Sequence, residues 1–238
     1  MKDLAFLEKQ LNIYFKNKEL LTQAFVHRSY INEHPEFSLA HNERLEFLGD
    51  AVLEIIVTEY LFLNYPRTPE GTLTNWRASI VNAKMLARVA SEIDLDSYLY
   101  LSRGEKKDVF SKARQYITAN AMEALIGAIY LDQGLEIVRK FITQFIIAKL
   151  AYIIENQLYV DPKSRFQEKA QEYLKMTPIY KVLSEIGPDH AKDFIVGLYL
   201  GKDMIAQGQG SSKQEAQVEA ARQGLRTKGW GEKLLEEV

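Results

Sequence analysis

Residues 42–50 read NERLEFLGD, and the run threads Glu43, Glu46 and Asp50 through the core-type residues Leu45, Phe47 and Leu48. On a helix Glu43, Glu46, Asp50 and Glu54 follow one another at steps of three, four and four, so they form one stripe, while Leu45, Leu48, Val52 and Ile56 cover another face. Like charges at those spacings repel and weaken a helix unless something cationic lies against them. Arg or Lys side chains could do so, and so could a metal ion. A solvated acidic face is the ordinary alternative.

A second segment narrows the choice. ITANAMEALIGAIYLD (117–132) carries one charge, Glu123, before Asp132, and is crowded with Ala119, Ala121, Ala124, Gly127 and Ala128. Such a helix is expected to be buried and closely packed. An ionised carboxylate there costs several kcal/mol unless it is paired or bound to a metal. Asn120 lies one turn earlier on the same face. Two helices that each offer oxygen ligands make a site for a hard cation, and Mg2+ takes carboxylates plus waters in this way. A lone Glu satisfied by an Arg is the competing reading.

The elements that must position these residues follow from periodicity. From residue 4 to about 156 the apolar residues recur at helical spacing, which predicts an all-helical region. FITQFIIAKLAYII (141–154) is broken by Gln144 and Lys149 and is too short to span a bilayer, so it is expected to be a core-facing helix. Near residue 160 the texture changes, and Asp161 followed by Pro162 signals a new helix. In FIVGLYLGKDMIAQGQG, Phe194, Val196, Leu198 and Leu200 alternate as one face of a strand, with Gly201 and Lys202 as the hairpin turn. Ser212 and Glu215 then have the spacing of a capping box, and Ala216, Ala220 and Ala221 give a small-residue face that can lie close on a sheet. The predicted order is helix, three strands, helix.

Composition sets limits. The 238 residues are 47% hydrophobic and 26% charged and include no cysteine, which excludes disulfides, thiolate metal sites and a cysteine nucleophile. The charged start MKDLAFLEKQ has no secretory core, so a reducing cytoplasmic setting and no membrane partner are expected. The net charge of -2 gives no bulk attraction to nucleic acid, and residues 161–238 hold 12 basic and 12 acidic residues. Any basic surface must come from clustering.

NERLEFLGDAVL resembles the signature of the ribonuclease III family, and ANAMEALIGAIYLD resembles its second acidic motif. HRSY (27–30) is similar to a short motif upstream of these. The carboxyl-terminal part resembles a double-stranded-RNA-binding domain: DPKSRFQE would open its first helix, GPDH lie in its first loop between strands, and GQGSSKQEAQVEAA open its second helix. The resemblance implies an all-α endonuclease and dimerisation domain at 1–156 and a small α+β domain (α-β-β-β-α) at 161–230. It implies a homodimeric endonuclease that cuts double-stranded RNA to 5'-phosphate and 3'-hydroxyl ends in the processing of rRNA and mRNA precursors, with Mg2+, or Mn2+ in its place. Carried over by position, Glu46, Asn120 and Glu123 are metal ligands. Asp50 and Glu123 are the catalytic pair, Asp50 orienting water or the ion's hydration shell. Glu43 supports from behind or pairs with an arginine such as Arg44 of a second subunit, and Phe47 matches a subunit-interface plug. Gln167 and Glu168 are expected to meet 2'-hydroxyls, His190 to enter the next minor groove, and Ser211, Ser212 and Lys213 to face phosphates.

Two departures qualify the resemblance. The family usually has Asp where this chain has Asn120, which removes a charge but keeps an oxygen. Many relatives have a second Lys where this chain has Gln214, so weaker and less salt-dependent RNA binding is expected. A binding protein of the same fold with little or no turnover is the alternative that Asn120 raises. A metal-dependent hydrolase of small phosphates is a further one.

Overall fold

The computed structural model describes residues 3–109, 111–187 and 192–230. The chain divides into two compact units, Met1–Glu155 and Asn156–Val238. In the first, the helices are α1 (Leu4–Leu11), α2 (Lys18–Ala24), α3 (Arg28–Glu33), α4 (Glu43–Asn64), α5 (Glu70–Val81), α6 (Ala83–Glu92), α7 (Arg103–Lys107), α8 (Lys112–Gln133), α9 (Leu135–Phe145) and α10 (Leu150–Glu155). The all-helical expectation holds, apart from a single parallel bridge between Val26 and Tyr100. Helix α8 is the hub. Ala119, Ala121, Met122, Ala124, Leu125, Ile126, Ala128 and Ile129 are all buried, so several helices can pack around it at once.

The stretch 141–154 is not one helix. Helix α9 ends at Phe145, a single 3-10 turn covers Ile147–Lys149, and α10 follows. Ile146 and Ile147 are both buried at this junction, so the apolar run stays packed on the core across the break.

Buried polar groups fix the ends of the long helices. Asn42 precedes α4 with no side-chain cap. Instead its Nδ2 donates to the Ala24 carbonyl at 3.1 Å and its N–H donates to the Val26 carbonyl at 2.9 Å. This ties the start of α4 to the end of α2. Near the start of α8, the Arg114 guanidinium donates twice to Asp96, at 2.7 Å each, and Thr118 donates to the same carboxylate at 3.1 Å. Burial pushes the Asp96 carboxyl up, but these donors outweigh it and hold the group below the usual carboxylate range.

The second unit comprises α11 (Pro162–Leu174), β1 (Pro178–Ile186), β2 (Asp193–Leu200), β3 (Asp203–Gly210) and α12 (Lys213–Thr227). The strands form an antiparallel sheet in the order β1-β2-β3, with residues 201–202 as the hairpin turn. The predicted order of helix, three strands and helix is observed. Asp161 caps α11, its carboxylate accepting from Lys163 N–H at 3.0 Å and Ser164 N–H at 3.1 Å, with Pro162 in the first turn. Phe166, Ala170, Leu198, Leu200, Ala220, Ala221 and Leu225 make the core. The small face of α12 lies on β3 as expected, so close that a Cβ on Gly208 would sit 2.2 Å from the Ala220 nitrogen.

Candidate active site and RNA-binding surface

Two glycines create the first site. Helices α4 and α8 cross where Gly49 meets Gly127. A Cβ on Gly49 would lie 1.7 Å from the Glu123 carbonyl oxygen, and one on Gly127 would lie 2.3 Å from the Leu45 carbonyl oxygen. The two backbones therefore touch without intervening side chains. This crossing brings Glu46 and Asp50 from α4 beside Asn120 and Glu123 from α8, all four of which interact electrostatically or by hydrogen bond. A glycine inside a helix costs about 1 kcal/mol against alanine, so Gly49 in a 22-residue helix was itself a signal of close approach that sequence reasoning overlooked.

The electrostatics at the crossing are unbalanced. Burial, then the charge of Asp50, then that of Glu46, push the Glu123 carboxyl up to about 7. Burial and the charge of Glu43 also raise the Glu46 carboxyl, with a smaller push from Asp50, against a lowering hydrogen bond from the Asn120 side chain. The Asn120 carboxamide that donates to Glu46 still has its carbonyl oxygen to offer. Glu123 is half-buried and Asp50 is exposed, so one carboxylate lies deep and another reaches solvent. Among the described residues no group of three or more His, Cys, Asp or Glu side chains is set closely enough to hold a metal ion. The groups that meet at the crossing offer oxygens alone, two carboxylates from one helix and a carboxylate and a carboxamide from the other. Oxygens are the donors that a hard divalent cation takes, with water completing its shell.

Glu43 does not project into this group alone. Its carboxylate lies 3.7 Å from Arg28 Nη1 and 3.8 Å from His41 Nδ1, partners within the same chain that sequence reasoning did not name. In the HRSY stretch, His27 Nδ1 shares a 2.8 Å hydrogen bond with Ser29 Oγ, which accepts from Ser102 N–H at 3.2 Å. The motif thus ties the start of α3 to the segment before α7. Phe47 is 81% exposed, so it is not a core residue of this chain. Exposed Ile55 and Phe62 follow on α4 at steps of eight and seven, which places the three apolar side chains near one side of the helix.

The other predicted residues belong to the second unit, in which α11 and α12 pack against each other. Gln167 and Glu168 are exposed on α11, and Ser211, Ser212 and Lys213 are exposed at the start of α12. His190 lies outside the described residues. Ser212 caps α12 by accepting from Glu215 N–H at 3.1 Å, but the return bond of a capping box goes one residue further back, from Ser211 N–H to the Glu215 carboxylate at 3.1 Å. Lys213 Nζ pairs with Glu185 at 2.8 Å and lies 5.5 Å from the centroid of the Phe194 ring. The Lys213 hydrogen bond is the main cause holding Glu185 below its usual carboxylate range.

Comparison with known proteins agrees with this division. A Ribonuclease-III-like family model matches residues 17–150, and a double-stranded RNA binding motif matches residues 162–228. The chain is 45% identical to Ribonuclease 3 of Chloroflexus aurantiacus, over 93% of this chain and 90% of that protein. It is 43% identical to Ribonuclease 3 of Carboxydothermus hydrogenoformans, over 94% and 95%. Among solved structures, the nuclease domain of ribonuclease III from Campylobacter jejuni matches with a TM-score of 0.55 at 37% identity, spanning 61% of this chain and 97% of that one. That domain is described as structurally flexible in a region involved in dimer formation. By these matches across nearly its whole length, the chain belongs to the ribonuclease III family.

Proposed function

We propose that the chain is a Mg2+-dependent endoribonuclease that cuts double-stranded RNA, with Mn2+ able to replace Mg2+, and that it acts as a homodimer on rRNA and mRNA precursors in the cytoplasm. Residues 1–156 form the catalytic and dimerisation domain and residues 161–230 the RNA-binding domain. The observation that carries the reading is the meeting of Glu46 and Asp50 with Asn120 and Glu123 where α4 and α8 touch. Glu46, Asn120 and Glu123 hold the ion. Bound there, the cation supplies the positive charge that activates water and neutralises the phosphate and the leaving oxygen. Exposed Asp50 orients the attacking water. Glu43, tethered by Arg28 and His41, buttresses Glu46. Phe47 and its exposed neighbours on α4 bury themselves against a second copy, a reading supported by the dimer-forming region reported for the Campylobacter jejuni domain. In the second domain Gln167, Glu168 and His190 address the minor groove, and Ser211, Ser212 and Lys213 address phosphates.

Asn120 decides between this reading and that of an RNA-binding protein with weak turnover. A carboxylate in place of a neutral oxygen adds charge a few ångströms from the ion, a gain on the order of 1 kcal/mol or more even when strongly screened. Asn120→Asp is therefore expected to lower the Mg2+ concentration for half-maximal duplex cleavage about tenfold. A titration of both proteins on one duplex measures it. An unchanged or higher concentration would show that Asn120 does not ligate the ion, and absence of cleavage by the parent would favour the binding-only reading.

The Lys213 pair gives a second expectation. A phosphate that binds Lys213 must displace Glu185, so Glu185→Gln is expected to tighten duplex binding roughly threefold at low salt, with a smaller gain as salt rises. Anisotropy titrations of labelled duplex at two salt concentrations check this.

A further inference from the structure

Lys213 is not the only lysine of this unit held by a side-chain oxygen and a ring. Lys163, in the first turn of α11, donates from Nζ to the Gln217 side-chain oxygen on α12 at 2.6 Å and lies 5.2 Å from the centroid of the Tyr180 ring. Gln217 is one helical turn beyond Lys213 on the same face of α12, so the Lys163 ammonium comes to the face that Lys213 opens, roughly 6 Å further along the helix axis. The two lysines are built alike. Each has an aromatic ring beneath its ammonium and a side-chain oxygen that aims it: Phe194 and Glu185 for Lys213, Tyr180 and Gln217 for Lys163. They differ in the charge of that partner. Glu185 neutralises Lys213, whereas Gln217 is neutral and leaves the charge of Lys163 available to an anion. An ammonium has three donors, of which the Gln217 bond uses one. Asp161, two residues before Lys163, caps α11 but keeps its negative charge, which also reaches the Tyr180 hydroxyl, so a phosphate competes with it for the ammonium.

We propose that Lys163 is a second phosphate-binding cation of this surface, set by α11 beside Gln217 so that the backbone of duplex RNA meets Lys213 and Lys163 together. The proposal rests on the RNA-binding reading of the α12 edge and extends it to a residue outside the segment that opens that helix. Lys163 also lies on the helix that carries Gln167 and Glu168, so one lysine couples contacts to phosphates with contacts to the minor groove. Pre-ordering by Tyr180 and Gln217 lowers the side-chain entropy that a free surface lysine would lose on binding.

The test is the salt dependence of duplex RNA binding by the full chain, measured by anisotropy without divalent ions so that no cleavage occurs. Lys163→Met is expected to reduce the slope of log affinity against log salt by about one unit, the signature of one lost phosphate contact, while Lys163→Arg keeps it. Gln217→Lys in the Lys163→Met background is expected to restore the slope. If Lys163→Met lowers the melting temperature, Lys163→Gln removes the charge while retaining a hydrogen-bonding group opposite Gln217, and its slope is read instead. A Lys163 slope equal to the parent's, while Lys213→Met lowers it, overturns the proposal alone. If Lys213→Met also leaves the slope unchanged, the RNA-binding reading of the α12 edge falls and the proposal falls with it.

Discussion

Replacing Gly49 with alanine is expected to destabilise the nuclease unit by upwards of about 3 kcal/mol and to abolish duplex cleavage. The added methyl would lie 1.7 Å from the Glu123 carbonyl oxygen, and the obstacle is backbone of a buried helix, which has no rotamer with which to yield. The helices must separate, and the side chains that meet across the crossing separate with them. Gly71→Ala is the control. Gly71 lies in α5 with nothing within 4 Å of an added Cβ, so alanine there is expected to be neutral or slightly stabilising. Denaturant midpoints of the two variants measure the difference. Equal midpoints would mean that the crossing tolerates a methyl group and that its closeness does not define the site.

Glu123→Gln is expected to remove at least about a thousandfold of the cleavage rate, because the carboxylate that lies deepest at the crossing is lost, while duplex affinity stays near that of the parent. The same change should stabilise the ion-free protein at pH 8. With its carboxyl raised from 4.5 to about 7, folded Glu123 holds its proton more tightly than the unfolded chain does. The parent's stability therefore falls as pH rises from the ordinary carboxylate value through about 7, and levels off above it. Glutamine carries no titrating proton and escapes that loss, so the variant's advantage is large at pH 8 and small at pH 4. Divalent ions should reverse the order by stabilising the parent alone. Melting curves with and without Mg2+ at both pH values check each arm. A variant that cuts at the parental rate would remove Glu123 from the mechanism.

The acids that define the candidate site were legible because they stand where charge is costly. Glu123 is the lone charge before Asp132 in a run of alanines, and Glu46 and Asp50 recur at helical spacing within an apolar sequence. The strand alternation of Phe194, Val196, Leu198 and Leu200 and the small face of α12 were legible for the same reason, since period and side-chain size are local properties. What the sequence hid was tertiary. Nothing in the spacing of Gly49 and Gly127 says that they face each other 78 positions apart. The pairing of Glu43 with Arg28 and His41, of Lys213 with Glu185, and of Lys163 with Gln217 depends on how elements pack, and long flexible side chains admit many partners. The break at Ile146 escaped for a related reason, because a run of apolar residues gives no local sign of which side the core will lie on.

If Glu46, Asp50, Asn120 and Glu123 surround the cation that cuts duplex RNA, the position of the ion can be read from the polypeptide itself. Fe2+ loaded in place of Mg2+ and treated with ascorbate and peroxide generates hydroxyl radicals that cut the polypeptide beside the ion, so the cut positions locate it directly. Backbone cuts are expected only near residues 43–50 and 117–127, suppressed by excess Mg2+ and absent from Glu123→Gln. Cuts in other segments, or cuts at these segments that excess Mg2+ does not suppress, would contradict that arrangement.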